Sequence, residues 1–203
     1  MSADEKPSPK TLDAEGKDLL FREAHSYNKF RDEPVSEETL RAVYDLMKWG
    51  PTSVNSLPLR VVFVRTKEGK SLLEPAMSPS NAAKTMAAPV VAILAYDTKF
   101  VEYVPRLYPA VPNAASWFSD PVAAEKTAIQ GSNLQAAYLI VAARAHGLGC
   151  GPMAGFDANK VNATFFPDGR FKTILVMNLG YPAPGGHHPR SPRLEFEEVC
   201  SFK

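Results

Sequence analysis

GLGCGPMAGFD, residues 147–157, follows the most apolar helix-like run in the chain. Gly147, Gly149 and Gly151 precede Pro152, and Gly155 precedes Phe156 and Asp157. Glycine allows positive φ and close approach to the backbone, so the segment has two readings. It is a loop that needs positive φ, or it offers the N–H groups of Ala154 and Gly155 to something flat with a polar edge.

The run upstream, residues 121–146, starts at a proline and carries no charge between Thr127 and Ala143. Gln130, Ser132, Asn133 and Gln135 interrupt it, which predicts a long buried helix, or two in succession, and not a membrane span. Further back, RVVFVR at 60–65 is rich in β-branched residues and predicts a strand. PVVAILA at 89–95 is a continuous apolar run, as expected of a central strand. Residues 174–179 predict a third strand, and 194–199 a short strand or a turn of helix. Helical character marks 12–24, 67–76, 81–87 and 158–166. Another helix is capped by Ser36, with Glu37 and Glu38 in its first turn and Leu40, Val43, Tyr44 and Met47 at helical spacing, and it ends at Gly50-Pro51. Residues 96–120 are irregular and proline-rich, in the manner of a lid or binding loop. Three or four strands among six or so helices, without regular βαβ alternation, predict an α+β sandwich.

The chain has 203 residues, enough for one domain with a sizeable core, with 1–10 as a loose tail and 11–203 as the domain. Its 23 basic and 22 acidic residues leave a net charge of +1, so neither a nucleic acid nor an anionic membrane is implied as partner. Residues 1–10 lack the apolar stretch of a secretory signal, and the two cysteines, Cys150 and Cys200, have no metal-ligand spacing. A cytoplasmic location is the simplest expectation. His187-His188 has no acidic or thiol partner at ligand spacing, and no metal is expected. There is no GxGxxG after a strand, no P-loop, no HExxH and no nucleophile elbow. Cys150 reads as a small buried thiol.

Five polar segments lie at element ends. His25-Ser26-Tyr27-Asn28 can hold an anion or a polyol, or simply cap a helix. The segment 51–56 contains Ser53 and Asn55 and fits either a site or a turn. Asn81 and Lys84, three apart, share a helix face, whether solvated or functional. The fourth is Pro152-Met153-Ala154-Gly155. Arg190 and Arg193 could grip a phosphate with bidentate bonds, or lie exposed in a loop.

Taken in order, these segments resemble the nitroreductase family of FMN-dependent, NAD(P)H-oxidising enzymes. The family shows Arg-x-Ser-x-Arg/Lys-x-Phe where this chain reads Ala24-His25-Ser26-Tyr27-Asn28-Lys29-Phe30. It shows Pro-Ser-Ser-x-Asn-x-Gln-Pro-Trp where this chain has 51–59, with Leu57 and Leu59 in place of Gln and Trp. Gly-Leu-x-x-x-Pro-x-x-Gly-Phe-Asp matches 147–157, and a basic residue before Leu/Phe-Glu-Glu matches Arg193. RDEPVSEETLR, MKWGPTS, SWFSDP, LQAAYLIVAARA and GPMAGFD are similar to the malonic semialdehyde reductase branch of pyrimidine degradation.

The resemblance implies a nitroreductase-like sandwich with a mixed, mainly antiparallel sheet, forming a homodimer with FMN at the subunit interface. It implies that Ala154 and Gly155 donate their amides to the N5–O4 edge of the ring, while Lys84 and Asn81 meet its N1–O2–N3 edge. Lys84, Ala154 and Gly155 would carry the catalysis. Ser26, Asn28, Ser53 and Asn55 would hold the ribityl chain or ring rim, with Pro152 and Met153 beside the ring. His25, Arg190 and Arg193 would meet the phosphate, because Ala24 and Asn28 stand where bases are usual. Met153, Trp117 and Phe118 would wall the substrate pocket, although loop packing explains the two aromatics equally well. The activity implied is hydride transfer from NADPH or NADH to malonic semialdehyde, giving 3-hydroxypropionate. The alternatives are a nitroaromatic, quinone or enone reductase, a flavin-binding protein without turnover, and a module without flavin.

Overall fold

The computed structural model describes residues 10–203, so all but the last residue of the expected tail lies outside the described residues. Four strands form one sheet in the order β1-β2-β4-β3, with β1 at Leu59–Val64, β2 at Val90–Asp97, β3 at Gly149–Met153 and β4 at Phe171–Gly180. All three pairings are antiparallel. The parallel component of the expected mixed sheet is confined to an isolated bridge, Ser26 with Cys150.

Every residue of β2 is buried, which is why its sequence is a continuous apolar run with no alternation. One sheet face carries Val90, Ala92, Leu94, Met177 and Leu179 against α2 (Glu37–Met47) and α6 (Pro121–Ala145). The other carries Val91, Ile93, Ala95 and Val176 against α3 (Lys67–Leu73), α4 (Pro79–Ala87) and α7 (Ala158–Phe165). The N-terminal turn α1 (Ala14–Lys17) runs into a wider π turn at Asp18–Arg22. The irregular stretch contains α5 (Val104–Leu107) and short 3₁₀ turns, and it closes a small satellite core around Phe100 and Tyr96. α8 (Phe196–Val199) makes the terminal segment a turn of helix and not a strand.

The fourth strand comes instead from the opening motif. Gly149–Met153 pairs along β4, from Gly149 opposite Gly180 to Met153 opposite Val176. Glycine and proline are both depleted in strands, so the composition hid it. Proline is tolerated here because β3 lies at the sheet edge within the chain's own sheet.

The charged end of β2 is compensated locally. Asp97 is fully buried, yet Arg60 reaches it at 2.8 Å and Arg170 at 3.0 Å. Burial of a carboxylate needs such partners. α6 is one continuous helix, opened by Asp120, which accepts from the Val122 amide at 3.0 Å, with Pro121 in its first turn. α2 begins as its sequence predicts, with the Ser36 side chain accepting from the Thr39 amide at 3.0 Å. Ser36→Ala is expected to cost about 1 kcal/mol in urea unfolding, the ordinary worth of such a cap. No helix among the described residues is long and apolar enough to cross a membrane.

Candidate functional site

The site is built outward from β3. Residues 26–28 lie along its outer edge: Ser26 bridges Cys150, and the Tyr27 amide donates to the Cys150 carbonyl at 2.9 Å. This close lay explains the glycines. A Cβ on Gly151 would sit 2.4 Å from the Tyr27 carbonyl oxygen, and one on Gly149 would meet the Tyr27 ring at 2.8 Å. The bareness of this strand is therefore filled from within by the 24–28 strap. Cys150 is buried beneath it, and burial pushes its thiol up to about 12, which makes it inert as a nucleophile at neutral pH.

Beyond Met153 the chain leaves the sheet. Ala154 and Gly155 are exposed, and neither amide donates to another group among the described residues. The Gly155 carbonyl is occupied, accepting from the Ser78 amide and from Asn81 Nδ2, each at 3.0 Å. A Cβ on Gly155 would meet Asn81 Nδ2 at 2.7 Å and Ser78 Oγ at 2.8 Å. So Asn81 organises the turn through the Gly155 carbonyl and not through the two amides.

α4 brings in the cation. Lys84, half-buried, donates from Nζ to Asn28 Oδ1 at 3.0 Å and forms no ion pair among the described residues. The next residue, Thr85, reaches Met153 Sδ at 3.7 Å. His25, Ser26, Asn28, Asn81, Lys84, Pro152, Met153, Ala154 and Gly155 thus lie within one connected neighbourhood where strap, β3 and α4 meet.

Arg190 joins it at the strap's start. Its guanidinium donates to the Ala24 carbonyl at 2.9 Å and faces His25 Nε2 at 3.3 Å. Arg193 turns back on its own loop, donating to the Ser191 carbonyl at 2.9 Å and the Pro192 carbonyl at 3.1 Å.

Four residues lie apart from this cluster in the chain. Ser53 and Asn55 lead into β1, across the sheet from β3, a separation of three strand spacings or about 14 Å. Asn55 Nδ2 donates to the Leu107 carbonyl at 3.0 Å. Val54, Asn55 and Leu57 have φ of 45°, 51° and 42°, strained for non-glycine residues and for β-branched valine above all. Such strain gathers at functional segments. α6 holds the turn in place: Gln135 Oε1 accepts from the buried Leu59 amide at 3.0 Å, and a Cβ on Gly131 would meet Pro58 at 2.9 Å. Phe118 packs edge-on against Phe100, 5.1 Å between centroids, while Trp117 is 57% exposed.

Two neighbours are not placed at this site by the sequence, Asn178 passing without notice and His187 weighed only as a metal ligand. Asn178 is fully buried on β4; its Nδ2 donates to the Lys84 carbonyl at 3.3 Å, and its Oδ1 has no partner among the described residues. It ties α4 to the sheet at the level of the lysine. His187 stacks on His25 with 3.8 Å between ring centroids and 21° between planes. No group of three or more potential metal-ligating side chains exists among the described residues.

The neighbourhood offers an anion-receptive end (His25, Arg190), a fixed ammonium (Lys84) and two free amides on a bare turn. That set suits a flat, polar-edged ligand carrying an anionic tail. The model of the nitroreductase family matches residues 21–181. A Ralstonia nicotianae protein named NADH dehydrogenase/NAD(P)H nitroreductase is 51% identical over 191 residues, covering 94% of this chain and 97% of its own. A Bacillus subtilis nitroreductase structure superposes with a TM-score of 0.85 at 21% identity, covering 94% of this chain and 99% of that one. An Exiguobacterium sibiricum nitroreductase solved in complex with FMN gives 0.85 at 19% identity, covering 96% and 99%. From the family match over most of its length, and from a relative sharing half its residues, this chain belongs to the nitroreductase family.

Proposed function

We propose that this protein is an FMN-dependent NAD(P)H oxidoreductase whose active site is the junction of strap, β3 and α4. The observation that carries the reading is the placement of Lys84 beside Asn28 while the Ala154 and Gly155 amides remain undonated on the adjoining turn. When bound, the flavin supplies a hydride relay between NAD(P)H and an acceptor. The chain's own part is to bind, orient and polarise. Ala154 and Gly155 present main-chain donors to one rim, and their lack of bulk permits the approach. Lys84 holds a positive charge where negative charge gathers on reduction, fixed by Asn28 and by the anchoring of α4 through Asn178. Ser26 and Asn28 bind the sugar-like chain, and His25 and Arg190 the phosphate. Arg193 would have to leave its own loop to join them.

Ser53, Asn55, Trp117 and Phe118 serve a second copy's site in this reading. A homodimer is favoured by the apolar surface that a single chain leaves in water. On α2 and the turn after it, Tyr44, Leu46 and Trp49 are exposed, and on α6 Val122, Leu134 and Tyr138. The C-terminal segment adds Leu194, Phe196, Val199 and Phe202, the last 90% exposed. Apolar surface on this scale marks an interaction face.

For the acceptor we propose malonic semialdehyde, on the strength of the sequence stretches that resemble that branch. Broad nitroaromatic or quinone reduction is the second reading, favoured by the name of the Ralstonia relative. The purified protein is expected to be yellow, to bleach with anaerobic NADPH or NADH, and to recover its colour with the physiological acceptor. Steady-state comparison of malonic semialdehyde, a quinone and a nitroaromatic then ranks the acceptors. A colourless protein that leaves added FMN unbound would end the proposal.

A further inference from the structure

Gly186 fixes the loop that follows β4 against the strap. Its carbonyl accepts from the Asn28 amide at 2.7 Å, and a Cβ on it would clash with the Lys29 carbonyl oxygen at 2.6 Å. The next residue, His187, is thereby delivered onto His25, with Tyr27 edge-on at 5.4 Å. Both tautomers follow from their neighbours. His187 Nδ1 lies 2.9 Å from the His188 carbonyl oxygen, which can only accept, so Nδ1 carries a hydrogen and Nε2 is turned away from that carbonyl. His25 Nε2 faces the Arg190 guanidinium, which can only donate, so it keeps its lone pair. Two imidazoles therefore stack beside an arginine, His25 with a lone pair turned to it.

We propose that His187 is a further cofactor-binding residue, and that the His25–His187 stack takes up a proton when the phosphate of a phosphorylated flavin arrives. The inference rests on the function proposed above. The balance is simple: a dianionic phosphomonoester enters, Arg190 turns donors toward it, and one imidazole Nε2 accepts a proton from solvent to become a second donor. No bond to phosphorus is made or broken.

The charged and titratable groups around the stack leave room for that proton. The strap contributes Tyr27, the residue after the strap is Lys29, the loop adds His188 and Arg190, and the small cavity beside His25 adds Glu23 and Arg144. In the ligand-free chain His25 is held below its ordinary value, first by burial and then by His187 and Arg190. A bound dianion acts the opposite way and raises it. A group whose value rises on binding contributes affinity that is complete below its free-state value and is lost as pH climbs through its bound-state value. Below about pH 6 the phosphate itself takes a proton and weakens the contact.

The test is flavin binding to the full-length apoprotein, read by titration calorimetry and fluorescence quenching. The FMN dissociation constant is expected to rise about tenfold between pH 6.5 and 8.5, while that of riboflavin stays flat. At pH 7.5 the apparent enthalpy should vary with buffer ionisation enthalpy, giving roughly half to one proton taken up per FMN. The double variant His25→Phe/His187→Phe keeps two rings without a titratable nitrogen and should abolish the uptake, while His187→Phe alone should raise the FMN dissociation constant and leave that of riboflavin unchanged. His188→Gln should leave the uptake unchanged. Uptake that persists in the double variant, an FMN affinity unmoved in His187→Phe, or a riboflavin profile that follows FMN, overturns the inference. Failure of the native protein to bind either flavin overturns the proposed function with it.

Discussion

Replacing Lys84 by alanine lowers the two-electron potential of the bound flavin by about 30–60 mV and slows its reduction by NAD(P)H about tenfold or more. The magnitude follows from one charge-assisted contact, worth about 1.5–3 kcal/mol, in a couple for which 30 mV corresponds to about 1.4 kcal/mol. The contact is selective because positive charge does most for the reduced, more negative ring. In this chain the ammonium is already placed, 3.0 Å from Asn28 Oδ1, on a helix whose backbone Asn178 holds to the sheet. Lys84→Arg keeps the charge and should recover most of the potential, whereas Lys84→Met should behave as alanine. Anaerobic titration against indicator dyes reads the effect directly. A potential that does not move in Lys84→Ala would remove the lysine from the site.

Gly151→Ala should be the most damaging small substitution in the molecule. The new Cβ would lie 2.4 Å from a main-chain oxygen, that of Tyr27, and backbone cannot rotate away as a side chain can. Either the strap lifts from β3, breaking the 2.9 Å bond from Tyr27 to Cys150, or the strand distorts against Asn178. Overpacking of this kind costs about 1–3 kcal/mol, and the lost hydrogen bond adds about 1 more. Because the strap carries His25, Ser26 and Asn28, flavin affinity should fall at least tenfold alongside the melting temperature. Gly147→Ala is the useful contrast, since nothing lies within 4 Å of its Cβ and only its φ of 73° opposes the change. Equal melting temperatures and equal FMN affinities for Gly151→Ala and native protein would refute this account of the glycine.

Where local chemistry decides the outcome, the sequence was legible. The apolar run of β2, the cap at Ser36 and the long helix α6 are all formed by residues whose own neighbours favour those states. Gly149–Met153 was not legible as a strand, because its glycines answer to Tyr27, more than a hundred residues away. The sheet therefore carries its fourth strand in place of any strand near the C-terminus. The same distance hid His187, which reads as a polar loop until Gly186 locks it under the strap. Asn178 sat unnoticed within an apolar run, its amide meaningful only once α4 lies above it. Arg190 and Arg193 were indistinguishable by spacing; the fold turns one to His25 and the other onto its own loop. The family pattern aligned Ser53 and Asn55 with the rest, but no sequence shows on which edge of a sheet a segment emerges.

The strap has one more consequence, for how this chain behaves when crowded. A sheet border whose amides and carbonyls are left open invites foreign strands to stack on it. Here Pro152 removes one donor from that border, and the Tyr27 amide occupies the Cys150 carbonyl. The segment proposed to bind the flavin thus also blunts the sheet against ribbon-like aggregation, and a chain whose strap has come loose would be the one prone to precipitate.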